Sequence, residues 1–161
     1  MSKFVLVKDL KKEPIISSFD VVYSNHCPLD LIIEEVIALG NLNLLTIGVS
    51  ECNFYSKKQK INKNLINWSY EITDTEIIFG DYKDLDKTFN LLEKSNKKTV
   101  VIMTCIPCLI NLDIDKYQKN DKFIFVKAPH YKGISFIDSL NELYLQIFKN
   151  INIRKKTNNS L

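Results

Sequence analysis

Apolar and polar positions follow one another along this chain in blocks that predict alternating helices and strands. Pro28 suits the first turn of a helix, and the apolar positions after it recur three and four residues apart until Gly40. These positions are Leu29, Ile32, Ile33, Val36 and Ile37. The same spacing recurs within 84–93 and within 134–151. Each of these three segments therefore predicts a helix that buries one stripe of side chains.

Three short runs of apolar residues predict β-strands. They lie at 42–47, 99–103 and 123–126. Their continuous apolar character is typical of parallel strands that are covered on both faces. Segment 53–70 is polar, and we expect it to be irregular. Strands that alternate with helices indicate an α/β fold.

The length and composition fit one globular domain. At 161 residues the chain can bury a core without disulfide bonds. We expect residues 1–153 to form that domain and residues 154–161 to form a polar tail. No apolar run approaches the roughly 20 residues that span a bilayer, and the N-terminal apolar stretch is too short for a secretory signal. We therefore expect a soluble cytoplasmic protein with no membrane partner.

The charge distribution gives little indication of a partner. The net charge is only +3, and lysines are interspersed with carboxylates, so we expect no nucleic-acid partner. Basic runs at 57–63 and 154–156 are most simply solvated surface. Because the first run is close in sequence to Cys52, it could instead form part of a docking surface for an acidic redox partner.

The candidate chemistry lies in four cysteines: Cys27, Cys52, Cys105 and Cys108. Four thiols in a chain of this class indicate metal or redox chemistry, or buried thiols that simply pack. Cys52 and Cys105 each follow a predicted strand, and ligands of parallel sheets collect beyond the carboxyl ends of strands. Cys27 precedes a predicted helix, whose positive end should lower its pKa. Thiolates that converge in this way would suit an iron–sulfur cluster.

The segment 105–108 has the sequence Cys-Ile-Pro-Cys, which leaves two alternatives open. A thioredoxin-like dithiol would use this pair and leave the other two cysteines unexplained. A structural zinc site could use all four, although such sites usually contain two closely spaced pairs. His26 and His130 adjoin the cysteine motifs, but a lone histidine is more often a surface or packing residue than a metal ligand.

Five motifs follow one another along the chain: His26-Cys27-Pro28, Gly48-Val49-Ser50-Glu51-Cys52, Thr73-Asp74-Thr75-Glu76-Ile77-Ile78-Phe79-Gly80, Thr104-Cys105-Ile106-Pro107-Cys108 and Ala128-Pro129-His130-Tyr131-Lys132-Gly133. Their order resembles that in the nitrogenase component 1 family of oxidoreductases, which includes the subunits of dark-operative protochlorophyllide reductase. Over residues 27–133 the chain resembles the first of the three α/β domains in these subunits. The resemblance implies a three-layer Rossmann-like domain with a mostly parallel sheet.

The resemblance also implies a cofactor and partners. The cofactor would be an iron–sulfur cluster, [4Fe-4S] or larger, bound by Cys27, Cys52 and Cys105, with Cys108 as the candidate fourth metal ligand. An ATP-dependent iron–sulfur reductase would supply its electrons. Because a four-iron cluster usually takes four thiolates, we expect a homodimer or a paralogous partner subunit that shares it.

The chain itself lacks other signs of enzymatic chemistry. It has neither a P-loop nor a G-x-G-x-x-G motif, and the sequence gives no evident substrate pocket. We therefore expect an electron-transfer subunit of an oxidoreductase. The alternative is a non-redox structural or assembly homologue that lacks the cluster.

Overall fold

A four-stranded sheet forms the centre of the protein in a computed structural model that describes residues 27–53, 65–132 and 135–150. The strands are β1 (Asn43–Gly48), β2 (Asn67–Glu71), β3 (Thr99–Met103) and β4 (Phe123–Lys127). Their order across the sheet is β2-β1-β3-β4, and every neighbouring pair is parallel. The predicted α/β class with a parallel sheet is therefore confirmed.

The helices flank this sheet. They are α1 (Pro28–Ala38), α2 (Asp74–Phe79), α3 (Lys83–Glu93), α4 (Cys105–Leu109), α5 (Asp115–Gln118) and α6 (Phe136–Asn150), with a 3₁₀ helix at His130–Lys132 and a helical turn at 50–53. The three predicted helices correspond to α1, α3 and α6. α1 begins at Pro28, and Gly40 just beyond its end has a left-handed φ of 73°. Within the described ranges, no helix combines the length and apolar character needed to cross a membrane.

Two apolar clusters pack against the sheet, one on each face. Alternate residues of β1 and β3 point to opposite faces, as the two-residue period of a strand requires. Leu44, Val100 and Ile102 join the side chains of α1 and α6, and we call this side the α1/α6 face. Leu45, Ile47, Val101 and Met103 join those of α3, on the α3 face. Helices thus cover both faces of the central strands, which is a three-layer arrangement.

The strand β2 corrects the prediction of an irregular segment over 53–70. Residues 54–64 lie outside the described part of the chain, but β2 pairs along β1 from Leu44↔Asn67 to Gly48↔Glu71. It is an edge strand, and Tyr70 is its one buried residue. Because most of its side chains are not buried, β2 needs no run of apolar residues, and the hydrophobic pattern of the sequence did not reveal it. The predicted tail, both basic runs and His26 also lie outside the described residues.

Phe89 of α3 gives a test of the core on the α3 face. Its ring is 1% exposed, stacks on Tyr117 with 3.7 Å between ring centroids, and meets the edge of Phe123 at 4.9 Å. Phe89→Ala should lower the free energy of unfolding by about 3–5 kcal/mol, because it removes buried apolar surface and leaves a cavity. Urea denaturation followed by circular dichroism measures this loss.

The matched control is Leu91→Ala, two residues along the same helix at a side chain that is 53% exposed. It should change the unfolding free energy by less than about 0.5 kcal/mol. Equal effects of the two substitutions would contradict the packing described for α3.

Candidate metal centre

The carboxyl ends of β1 and β3 lie side by side at the middle of the sheet. The chain leaves β1 toward β2 on one side and leaves β3 toward β4 on the other. Connections that diverge in this way leave a crevice, which is where open α/β sheets bind their ligands. Cys52 lies in the turn that follows β1, and Cys105 is the first residue of α4, two residues beyond the end of β3. The fold therefore brings both residues to the same crevice.

Gly48, at the end of β1, allows the two connections to approach closely. A Cβ atom on Gly48 would lie 2.5 Å from Thr104 Oγ1 and 2.9 Å from Cys52 Cβ. The Thr104 hydroxyl and the Cys52 side chain therefore share the space beside the glycine Cα. Thr104 N also donates a hydrogen bond to Ile47 O at 3.1 Å, which extends the pairing of β1 with β3. Any larger residue at position 48 would require the Thr104 or Cys52 side chain to shift.

Cys27 approaches the same region from the start of α1. It is the N-cap residue of that helix, and its carbonyl oxygen accepts a hydrogen bond from Asp30 N at 3.1 Å. Cys27 and Cys52 are half-buried and pack against the same apolar cluster on the α1/α6 face. A charge on either Cys52 or Cys105 would disfavour ionisation of Cys27, and a charge on Cys105 would do the same at Cys52. The structure thus brings these three predicted ligands within electrostatic range of one another.

Burial raises the pKa of Cys27 and of Cys52 above the ordinary value for a thiol. The Leu29 backbone N–H partly offsets the effect of burial on the pKa of Cys27, and the nearby Thr104 hydroxyl partly offsets it for Cys52. The prediction that the start of α1 gives Cys27 a lowered pKa is therefore wrong, because the loss of hydration around the thiolate outweighs the helix N-terminus. Both thiols are protonated at neutral pH in the metal-free chain.

The chemistry of the donors fits an iron–sulfur cluster. The three converging side chains all offer sulfur, which is the ligand type that holds iron in such clusters. A bound cation would favour the thiolate forms, so that burial does not prevent ligation. In the described part of the chain, there is no group of three or more His, Cys, Asp or Glu side chains that could hold a metal ion.

Cys108 has different surroundings from the other three cysteines. Its side chain packs against the apolar cluster on the α3 face. Its Sγ lies 3.5 Å from the Met103 carbonyl oxygen, to which it donates a hydrogen bond. Although Cys105 and Cys108 are only three residues apart on α4, Cys108 packs on the opposite face from Cys27 and Cys52. None of the four cysteines takes part in a disulfide bond.

Asn53 and Thr104 are buried at this edge of the sheet, and Nδ1 of the half-buried His130 is shielded from solvent. Among the described residues, Thr104 Oγ1, both amide atoms of Asn53 and Nδ1 of His130 make no hydrogen bond of standard geometry. Sequence reasoning did not single out Thr104 or Asn53 as site residues. The one sign that Thr104 could belong to the site was its position between a buried strand and a cysteine. A threonine at that position is also typical of an ordinary helix N-cap. The sequence alone could not separate these two roles.

The raised thiol pKa values predict how the metal-free protein reacts with iodoacetamide. Only the thiolate is nucleophilic. The ordinary thiol pKa is 9.0, so the alkylation rates of Cys27 and Cys52 should still be rising as the pH passes this value. Mass spectrometry of digested samples gives the rate at each cysteine. The same thiols in urea are the control, and their rates should level off at lower pH. A plateau below pH 9.0 in the folded protein would contradict the predicted effect of burial.

Comparison with models of known protein families gives no match to this chain, and comparison with curated proteins gives none either. The resemblance to nitrogenase component 1 stays an expectation from the order of the sequence motifs.

Proposed function

We propose that this chain binds an iron–sulfur cluster through Cys27, Cys52 and Cys105 and transfers electrons as a subunit of a nitrogenase-like reductase system. The observation that carries the proposal is the convergence of these thiols at the crevice between β1 and β3. The order of the sequence motifs that contain these cysteines also supports it. The cluster would supply one-electron redox chemistry, while the protein supplies the thiolates and an apolar wall on the α1/α6 face.

A cluster suits these side chains better than a single zinc ion. Four ligands of one zinc ion each lie about 2.0–2.3 Å from the metal, which requires a tightly gathered group. The described residues contain no such group, and Cys108 packs on the opposite face from Cys27 and Cys52. The thiolates of a cluster are spaced more widely, because several irons and sulfides lie between them. A dithiol centre at Cys105 and Cys108 would leave Cys27 and Cys52, which pack on the opposite face from Cys108, without a role.

The position of Cys108 also bears on how the cluster is completed. A four-iron cluster usually takes four thiolates, and the proposed site uses three from each chain. A second copy of the chain, or a paralogous subunit, would supply the remainder across a shared interface. An isologous contact between identical chains is the simplest arrangement that does this. An ATP-dependent iron–sulfur reductase is the electron donor that fits the resemblance.

A structural or assembly protein without a cluster is the second candidate. The observation in its favour is that burial keeps the thiols of Cys27 and Cys52 protonated when no metal is bound. Half-buried thiols of this kind can simply pack as small apolar side chains. Iron and sulfide analysis of anaerobically prepared protein separates this candidate from the first.

Serine substitution tests the three ligands. Cys27→Ser, Cys52→Ser and Cys105→Ser should each reduce the iron bound on anaerobic reconstitution by at least about half, because serine oxygen is a poor replacement for a soft thiolate. Iron and sulfide analysis measures the loss, and circular dichroism verifies that each variant is folded. Cys108→Ser is the matched control and should retain the wild-type iron content. Full iron in all three test variants would refute their role as ligands.

Subunit association tests the shared cluster. Anaerobic light scattering should give the mass of a dimer for cluster-loaded protein, and the mass should fall toward that of one chain after a chelator removes the iron. The reason is that a cluster bound by two chains links them. A monomer with a full complement of iron and sulfide would show that one chain completes the site by itself.

A further inference from the structure

Thr104 is placed to cap a helix but does not do so. It is the N-cap residue of α4, where threonine usually accepts a hydrogen bond from a backbone N–H of the first turn, yet its side chain makes no such bond. The residue is only 2% exposed, and its hydroxyl makes no hydrogen bond of standard geometry among the residues that the structure describes, although it lies close enough to the Cys52 thiol to lower the pKa of that thiol. Burial of a hydroxyl without a hydrogen bond costs free energy. We therefore expect a hydrogen-bond acceptor close to the Thr104 hydroxyl.

The sulfur of Cys52 is a nearby acceptor. Thr104 Oγ1 and Cys52 Cβ lie against the same point beside Gly48, at 2.5 Å and 2.9 Å from where a Cβ would be. The sulfur is one bond from that Cβ. Rotation of the Cys52 side chain about its Cα–Cβ bond moves the sulfur while Cβ stays in place. A rotation of the Cys52 side chain can therefore bring its sulfur into hydrogen-bonding geometry with the Thr104 hydroxyl.

We propose that the Thr104 hydroxyl donates a hydrogen bond to the sulfur of Cys52, so that Thr104 is a positioning residue for this thiol. The consequence for a bound cluster rests on the function proposed above. A donor to a ligating sulfur stabilises the more negatively charged reduced state and raises the reduction potential. Thr104 thus tunes the centre without being a ligand.

Three substitutions separate this hydrogen bond from packing. Thr104→Val keeps the shape of the side chain and removes the hydroxyl, whereas Thr104→Ser keeps the hydroxyl. Thr46→Val is the matched control, because Thr46 is also buried with an unpaired hydroxyl among the described residues and lies on β1, two residues before Gly48. Its side chain points to the same face of the sheet as the Gly48 position.

A double-mutant cycle in the metal-free protein tests the contact itself. Each threonine variant is combined with Cys52→Ala, and urea denaturation gives the unfolding equilibrium constants. The Thr104→Val cycle should show a coupling of about fivefold in that constant, whereas the Thr46→Val and Thr104→Ser cycles should show little. A Thr104→Val coupling no larger than that of Thr46→Val would overturn the proposal.

Redox titration of the cluster-loaded protein tests the consequence for the cluster. Thr104→Val should shift the midpoint potential to a lower value, and Thr104→Ser and Thr46→Val should leave it close to that of the wild type. An unchanged potential in Thr104→Val would overturn the tuning role. If the wild-type chain takes up no iron, the proposed function fails, and the metal-free cycle still decides whether the hydrogen bond exists.

Discussion

Parallel pairing of β1 with β3 fixes the positions of both apolar clusters and of the candidate metal centre. All the residues of these two strands are buried, and their register places Leu44 beside Val100 and Ile47 beside Met103. A slip of one residue would exchange the side chains that face α1 and α6 with those that face α3. It would also remove Gly48 from its place beside Thr104, where the close approach of the two connections depends on the absence of a side chain.

The same burial that stabilises this arrangement determines how the thiols behave. Cys27 and Cys52 pack against the apolar cluster on the α1/α6 face, and the loss of hydration there opposes their ionisation. A metal centre at this position must supply the positive charge that makes the thiolates stable. Ligation is therefore coupled to proton release and becomes weaker as the pH falls. Protonated, packed thiols in the free chain are compatible with a ligand role in the loaded one.

The sequence predicted the elements whose apolar pattern is strong, and with them the edge of the sheet at which Cys52 and Cys105 lie. It did not predict β2, whose one buried residue is Tyr70, or α2, which buries no residue and is marked by the capping box of Thr73 and Glu76. The sign of the pKa shift at Cys27 depends on burial by distant segments. The face on which Cys108 packs depends on how α4 meets the sheet. Neither property can be obtained from spacing along the chain.

In the proposed centre, three thiols from separate connections hold one cluster at the crevice between β1 and β3. A crystal structure of the anaerobically reconstituted protein, with anomalous scattering measured at the iron absorption edge, would show where the iron is bound. We expect iron density bounded by the sulfur atoms of Cys27, Cys52 and Cys105, on the α1/α6 side of the sheet. Iron bound at Cys108 instead, or no ordered iron at these three sulfur atoms, would contradict it.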